Sequence, residues 1–475
     1  MDDTTIPQSR AERGRSLHDL PEEHGFVDCE IEGRLPEELS GTVYRNGPGL
    51  FSVFGHHYLN WLDGDGAISA FRFDRGRASA AARVTLTPEL IDERAKKEAV
   101  YTSGSTVGPH WWRRVGGQQK NPTNIHVLAW HDRVFATTDA GMPIEIDPWT
   151  LETVGPWKLS GAAKAMVGAH SRRCPRTGST YILGVAMGMT GMELDVYELP
   201  RAGEPRLVTA IGTHAFPFVH DFAITESHLV IAVPPLEVGV AGFLAGVSAP
   251  TKNMRWAPER GTEILLVERA APHAVRRITT DAFFAFHFGH GFESSDGTTV
   301  AHLCVFDRFD PGEAFAIDRA RSGRAWVDAA KSHLERLEID ANGTLRRTRV
   351  SDEVLEMPTV PHARETHRAT WIYPLVTRDH HDRVGKLEVA TGKIEIADLG
   401  AHRHPGESNF VPRREGTHED DGWLLTQVYD ASRHRSGVAV LDARRVSDGA
   451  VGTAWLSHHI PVPIHGTWVP GIPGR

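Results

Sequence analysis

Cysteine is scarce. Cys29, Cys174 and Cys304 stand far apart in a chain of 475 residues, too scattered for a CxxC metal site and too few for a disulfide framework. Apolar runs of the ~18 residues needed to span a bilayer are missing, and the polar start of the chain lacks the apolar stretch of an export signal. The sequence therefore reads as cytoplasmic. Positive charge is also short: 52 Lys and Arg face 61 Asp and Glu, a net charge of −9, which excludes an electrostatic nucleic-acid binder. Amphipathic helical patterns are few, and that excludes a helical bundle. Glycine (46) and proline (29) are too sparse for a collagen-like or low-complexity chain, yet they supply turns throughout.

Short β-type runs are what the chain has in plenty: 133–138, 181–186, 229–233, 263–267, 299–306, 423–429 and 437–441. Turn clusters separate such runs, among them Asp147-Pro148-Trp149-Thr150, Asp340-Ala341-Asn342-Gly343 and Ala390-Thr391-Gly392-Lys393. Helical periodicity is confined to 88–97 and 326–337. The polar, aperiodic stretch 1–23 reads as a flexible arm, and 24–475 as one domain. Evenly spaced antiparallel strands without alternating helices fit a sandwich, a barrel or a propeller. Length favours an all-β, seven-bladed β-propeller of ~68 residues per blade, with short helical insertions capping one face.

Among 27 histidines, four sit beside bulky apolar residues: His170, His220, His287 and His465. Their spacings of 50, 67 and 178 residues approximate one, one, and two to three blades, so inner strands could aim all four at a common axis. Four neutral imidazoles on a β framework suit a transition metal, with carboxylates behind them to hold the ring N–H groups. A single histidine near aromatics is more often a hydrogen-bonded structural residue, and spacing alone leaves both roles open.

Several motifs then follow one another in order. They are Gly41-Thr42-Val43-Tyr44-Arg45-Asn46-Gly47-Pro48-Gly49, Asp63-Gly64-Asp65-Gly66, Asp147-Pro148, His220-Asp221-Phe222-Ala223, Gly406-Glu407 with Phe410-Val411-Pro412, Gly422-Trp423-Leu424, and His465-Gly466-Thr467-Trp468. In these the sequence resembles the carotenoid cleavage oxygenases, a family that includes apocarotenoid and lignostilbene-type dioxygenases, from about Gly41 to Pro470. The resemblance implies a seven-bladed propeller with one Fe(II) per chain, held on the axis by His170, His220, His287 and His465. It also implies three carboxylates behind the ligands, matching Glu356, Glu407 and Asp139. The last is one methylene shorter than the family's glutamate, so a water would have to bridge or one imidazole would be held less firmly.

The chain departs from the family pattern elsewhere. Ile125 replaces a threonine beside the open coordination position, His290 replaces an asparagine, and Thr138 stands where stilbene-cleaving members carry a phenol-binding lysine. Phe216, Phe218, Phe284, Phe286 and Trp468 are either walls of a substrate tunnel or core packing. The apolar run 238–247 is either an entry patch touching a membrane from outside or a buried segment.

The resemblance implies a non-haem Fe(II) dioxygenase that uses O2 to cleave a conjugated double bond of a lipophilic, apocarotenoid-like substrate into two carbonyl products. Two other readings remain: a stilbene- or phenylpropenoid-cleaving oxygenase, and a propeller that binds a lipophilic ligand without turning it over.

Overall fold

The computed structural model describes residues 8–115, 117–188, 191–309, 315–323 and 331–471. Seven antiparallel sheets form a closed β-propeller. Each blade begins with its inner strand and meanders outward through hairpins, as the turn chemistry predicts. In order around the ring the inner strands are His465–Pro470 (blade 1), His126–Trp130 (blade 2), Met166–Arg173 (blade 3), Ala223–Ile224 (blade 4), Phe284–Glu293 (blade 5), Val354–Thr359 (blade 6) and Arg403–Pro412 (blade 7). Both ends of the chain close the ring. The late strand His465–Pro470 pairs with Gly41–Leu50 to complete blade 1, while the early strand Glu30–Gly33 pairs with Ala450–Trp455 as the outer edge of blade 7.

Between blades the core is aliphatic and aromatic, built from the alternate residues that face a neighbouring sheet. Tyr181, Leu183, Leu194 and Val196 of blade 3 pack on Leu229, Ile231 and Leu265 of blade 4. Ala223, Val230 and Ile264 of blade 4 pack in turn on Phe288, Ala301 and Leu303 of blade 5.

All seven predicted strand runs lie within or largely coincide with observed strands, and Pro88–Lys96 is a helix. Thr87 caps it by accepting from Leu90 N–H, and Lys97, in the left-handed region at φ 55°, ends it. Two expectations need correction. Of the stretch 326–337, residues 326–330 lie outside the described residues, and the remainder enters the strand His333–Ile339, where pairing with both neighbouring strands overrides local helical periodicity. The arm 1–23 is not loose from Gln8 onward. Gln8–Gly14 is helical, Arg13 pairs with Asp382, and Leu17 and Leu20 are buried.

Candidate metal centre

The inner strands are not regular. Pairing slips within Val167–Ser171, Ala285–Phe288, Glu356–Thr359 and Pro405–Ser408. These bulges fall on or beside His170, His287, Glu356 and Glu407, and a bulge re-aims a side chain that strict alternation would send into a blade interface. Gly168 and Gly406, each within two residues of such a group, are the sequence signal for them.

The result is convergence. One ligand atom from each of His170, His220, His287 and His465 lies within 4.8 Å of the others, and all four residues are buried. The Nε2 atoms of His170 and His220 are 3.0 Å apart, those of His220 and His287 3.2 Å, and those of His287 and His465 3.0 Å. On the far side of each ring, Nδ1–H of His220 donates to Asp139 at 2.8 Å, that of His287 to Glu356, and that of His465 to Glu407 at 2.9 Å. His170 Nδ1 lies 3.9 Å from Asp221.

With Nδ1–H committed to carboxylates, the Nε2 atoms of His220, His287 and His465 present lone pairs to one another. Lone pairs at 3.0–3.2 Å repel, and a shared cation removes the repulsion. Nitrogens bound at about 2.1 Å to one ion, at right angles, stand about 3.0 Å apart. The donor set therefore fits a transition-metal dication. Burial and the neighbouring imidazoles hold His170 and His465 well below the ordinary histidine range, which keeps them in the ligand form. Burial pulls His287 down as well, but the Glu356 carboxylate outweighs it and the net direction is upward.

Asp139 reaches His220 directly, with both oxygens within 2.9 Å of Nδ1, so neither a bridging water nor a looser imidazole follows from its shorter side chain. Ile125 is buried against Ala169 and Ile464, the residues preceding His170 and His465, and its carbonyl accepts from His465 N–H. Phe286 is edge-on to His220 with ring centroids 5.5 Å apart, and it belongs to an aromatic cluster with Phe218, Phe284, Phe309 and Phe315. Thr138 is buried beside Asp139, its hydroxyl turned to Asn124 Oδ1 at 3.5 Å. Trp468 does not join the site. It lies three residues along its strand from His465 and packs on Phe73 in the core between blades 1 and 7.

Three supporting groups were not singled out from the sequence. Arg45 is buried and donates to Glu407 Oε2 at 3.1 Å and to Ile464 O at 3.2 Å. Arg172 holds Asp221 at 2.9 Å and Glu365 at 2.8 Å. His126 lies over His170 with centroids 4.9 Å apart, and burial followed by His465 draws it down to about 3. Arg45 and Asp221 lie in the motifs quoted above, but only the fold shows what they touch.

A propeller whose axis carries four convergent imidazoles, three of them backed by carboxylates, is the architecture of the carotenoid-cleavage-type oxygenases. The model of the family described as retinal pigment epithelial membrane protein matches residues 17–470. The apocarotenoid-15,15'-oxygenase of Synechocystis sp. is 28% identical over 96% of this chain and 95% of its own length. An isoeugenol monooxygenase of Pseudomonas nitroreducens is 27% identical, covering 94% and 95%. The crystal structure of cobalt-substituted Synechocystis ACO superposes with a TM-score of 0.88 at 26% identity, covering 97% of this chain and 99% of that one. The chain belongs to this family of carotenoid-cleavage-type oxygenases.

Proposed function

We propose that the protein is an Fe(II)-dependent dioxygenase that cleaves a conjugated carbon–carbon double bond of an apocarotenoid-like substrate with O2, giving two carbonyl products. The observation that carries this reading is the meeting of the four imidazoles with an aromatic wall: Phe286 borders His220 and continues into the cluster of Phe218, Phe284, Phe309 and Phe315. Iron held by His170, His220, His287 and His465 would supply the one-electron chemistry that lets O2 react with a closed-shell alkene.

The protein's own groups orient and exclude. Asp139, Glu356 and Glu407 fix the ring planes of three ligands. The phenylalanines bind a polyene by area and shape. Ile125 offers methyl groups where a hydroxyl would hold water. With Thr138 in place of a phenol-binding lysine, an apocarotenoid is favoured over a hydroxystilbene.

A lipophilic substrate also needs a route out of lipid. In the run 238–247, Leu244 and Val247 are exposed, and Phe243 and Gly246 lie against the turn that follows Trp111–Arg114, where Trp111, Trp112 and Val115 are exposed as well. We read this patch as a peripheral membrane contact at the substrate entrance. Among the described residues no helix is long and apolar enough to cross a membrane.

The test is incubation of the Fe(II)-loaded protein under air and labelled O2 with apocarotenals and hydroxylated stilbenes, with products read by mass spectrometry. Paired carbonyls from an apocarotenal, each carrying one label, are expected. Iron-loaded protein that forms no carbonyl products overturns the reading in favour of a binding-only propeller.

A further inference from the structure

A cavity of about 150 Å³ lies between blades 6 and 7 and the helix Gln8–Gly14. Whole drug-sized sites run to about 300–1,000 Å³, so this space takes one end of an elongated molecule. Toward the axis it is lined by Trp61, Met357 and Ile464. Glu356 itself lines this end, Met357 follows it and Ile464 precedes His465, so the cavity reaches the residues that support two of the metal ligands. Its other end is blade 7, where His404 pairs directly with Tyr429 and Gln427 lies two residues back along the same strand, on the same face.

That end is polar and unsatisfied. Gln427 is 4% and His404 6% exposed, yet neither the amide nitrogen nor the amide oxygen of Gln427, nor Nε2 of His404, has a hydrogen-bond partner among the described residues. Buried side chains are seldom left so. Of the other polar groups on the wall, Tyr429 hydroxyl is engaged with His434 at 2.7 Å and Arg13 with Asp382, while Glu356 keeps one oxygen unpaired at the end nearer the metal ligands. With Arg13 neutralised in this way, the pair does not suit a carboxylate. An amide with both a free donor and a free acceptor matches a hydroxyl, which gives one hydrogen bond and accepts another; a ketone or aldehyde would leave the Gln427 oxygen unpaired.

We propose that His404 and Gln427 form the polar terminus of the substrate cavity and hold a hydroxyl at the end of the alkene remote from the scissile bond. This deepens the functional reading and rests on it: the substrate is a hydroxylated, not a purely hydrocarbon, polyene.

The experiment compares a ring-hydroxylated β-apocarotenal with the same aldehyde lacking the hydroxyl. Dissociation constants are measured on the iron-loaded protein under nitrogen by quenching of tryptophan fluorescence, and turnover is then measured under air. The hydroxylated ligand is expected to bind about 10- to 100-fold more tightly, the range for leaving a buried polar group unpaired. Gln427→Leu and His404→Phe should bring the ratio toward one, mainly by weakening the hydroxylated ligand. Equal binding in the wild-type protein, or an unchanged ratio in both variants, overturns the proposal, because water alone then satisfies these groups. Equal binding with cleavage of both ligands leaves the oxygenase reading intact, whereas a hydroxyl preference without cleavage of either sinks that reading and supports the terminus. Absence of both binding and cleavage overturns the two together.

Discussion

Glu356 and Glu407 do the same thing for their histidines, but they stand in different electrostatic settings, and replacing each by glutamine separates metal affinity from stability. Glu407 accepts from His465 Nδ1–H through one oxygen and pairs through the other with Arg45, which is 1% exposed. Glu356 accepts from His287 and from Met357 N–H, and its other oxygen has no partner among the described residues. Glutamine keeps an acceptor for the imidazole and removes the charge, so both variants should lose about 10- to 100-fold in metal affinity. Only Glu407→Gln strands a buried guanidinium, at a cost of about 3–5 kcal/mol. With about 2.1 cal/mol/K per residue of unfolding entropy, a chain of this length loses roughly 1 °C of melting temperature per kcal/mol. The metal-free Glu407→Gln protein should therefore melt about 3–5 °C below wild type, and metal-free Glu356→Gln within about 1 °C of it. Calorimetry of the metal-free proteins and metal titration give the two quantities independently. Equal melting shifts would refute the role given to Arg45, and unchanged metal affinity in both variants would refute the role given to the carboxylates.

Removing a ligand outright should be more severe. His287→Ala is expected to lose bound iron by elemental analysis together with iron-dependent product, and full activity in that variant would end the ligand assignment. Stability should fall in acid: burial draws His290 and His404 down to about 3 and His302 well down, whereas the unfolded chain titrates near 6.5. The unfolded state thus takes up protons first, and stability present above about pH 6.5 is lost as pH falls toward 3, by about 1.4 kcal/mol per histidine per pH unit. Melting temperature should drop by several degrees between pH 7.5 and 5.5 in metal-free protein, and a flat profile would contradict the burial of these rings. Replacing Trp111, Trp112, Leu244 and Val247 with serine should reduce co-sedimentation with lipid vesicles while leaving the fold unchanged by circular dichroism; undiminished co-sedimentation would remove the patch from the entry route.

The fold was legible because strand periodicity and turn residues are local, and a propeller repeats them. The four histidines stood out by their apolar neighbours and spacing, and their role as ligands, like the role of Asp139, Glu356 and Glu407 behind them, was legible through resemblance. Contacts between distant segments were not. Arg45 meets Glu407 across 362 residues, and Arg172 meets Glu365 across 193, with nothing local to announce either pair. Trp468 shares a strand with His465, yet three residues on it faces the core between blades instead of the centre. The segment after Gln8 looked featureless because it has few apolar residues, yet Leu17 and Leu20 are buried together with Arg10, Gly14 and Ser16, and Arg13 pairs with Asp382. His404 and Gln427 carried no motif at all. Their interest lies in what they fail to touch, which a sequence cannot express.

Ring closure has a consequence for the order in which the centre comes into being. His465 opens the last strand of the propeller, which seats itself against Gly41–Leu50, one of the earliest. During synthesis, His170, His220 and His287 emerge on consecutive blades long before the fourth imidazole exists. A nascent chain can offer an ion three nitrogens at most, and it gains the fourth only when its two ends have met. A complete four-nitrogen cluster thus requires a shut ring.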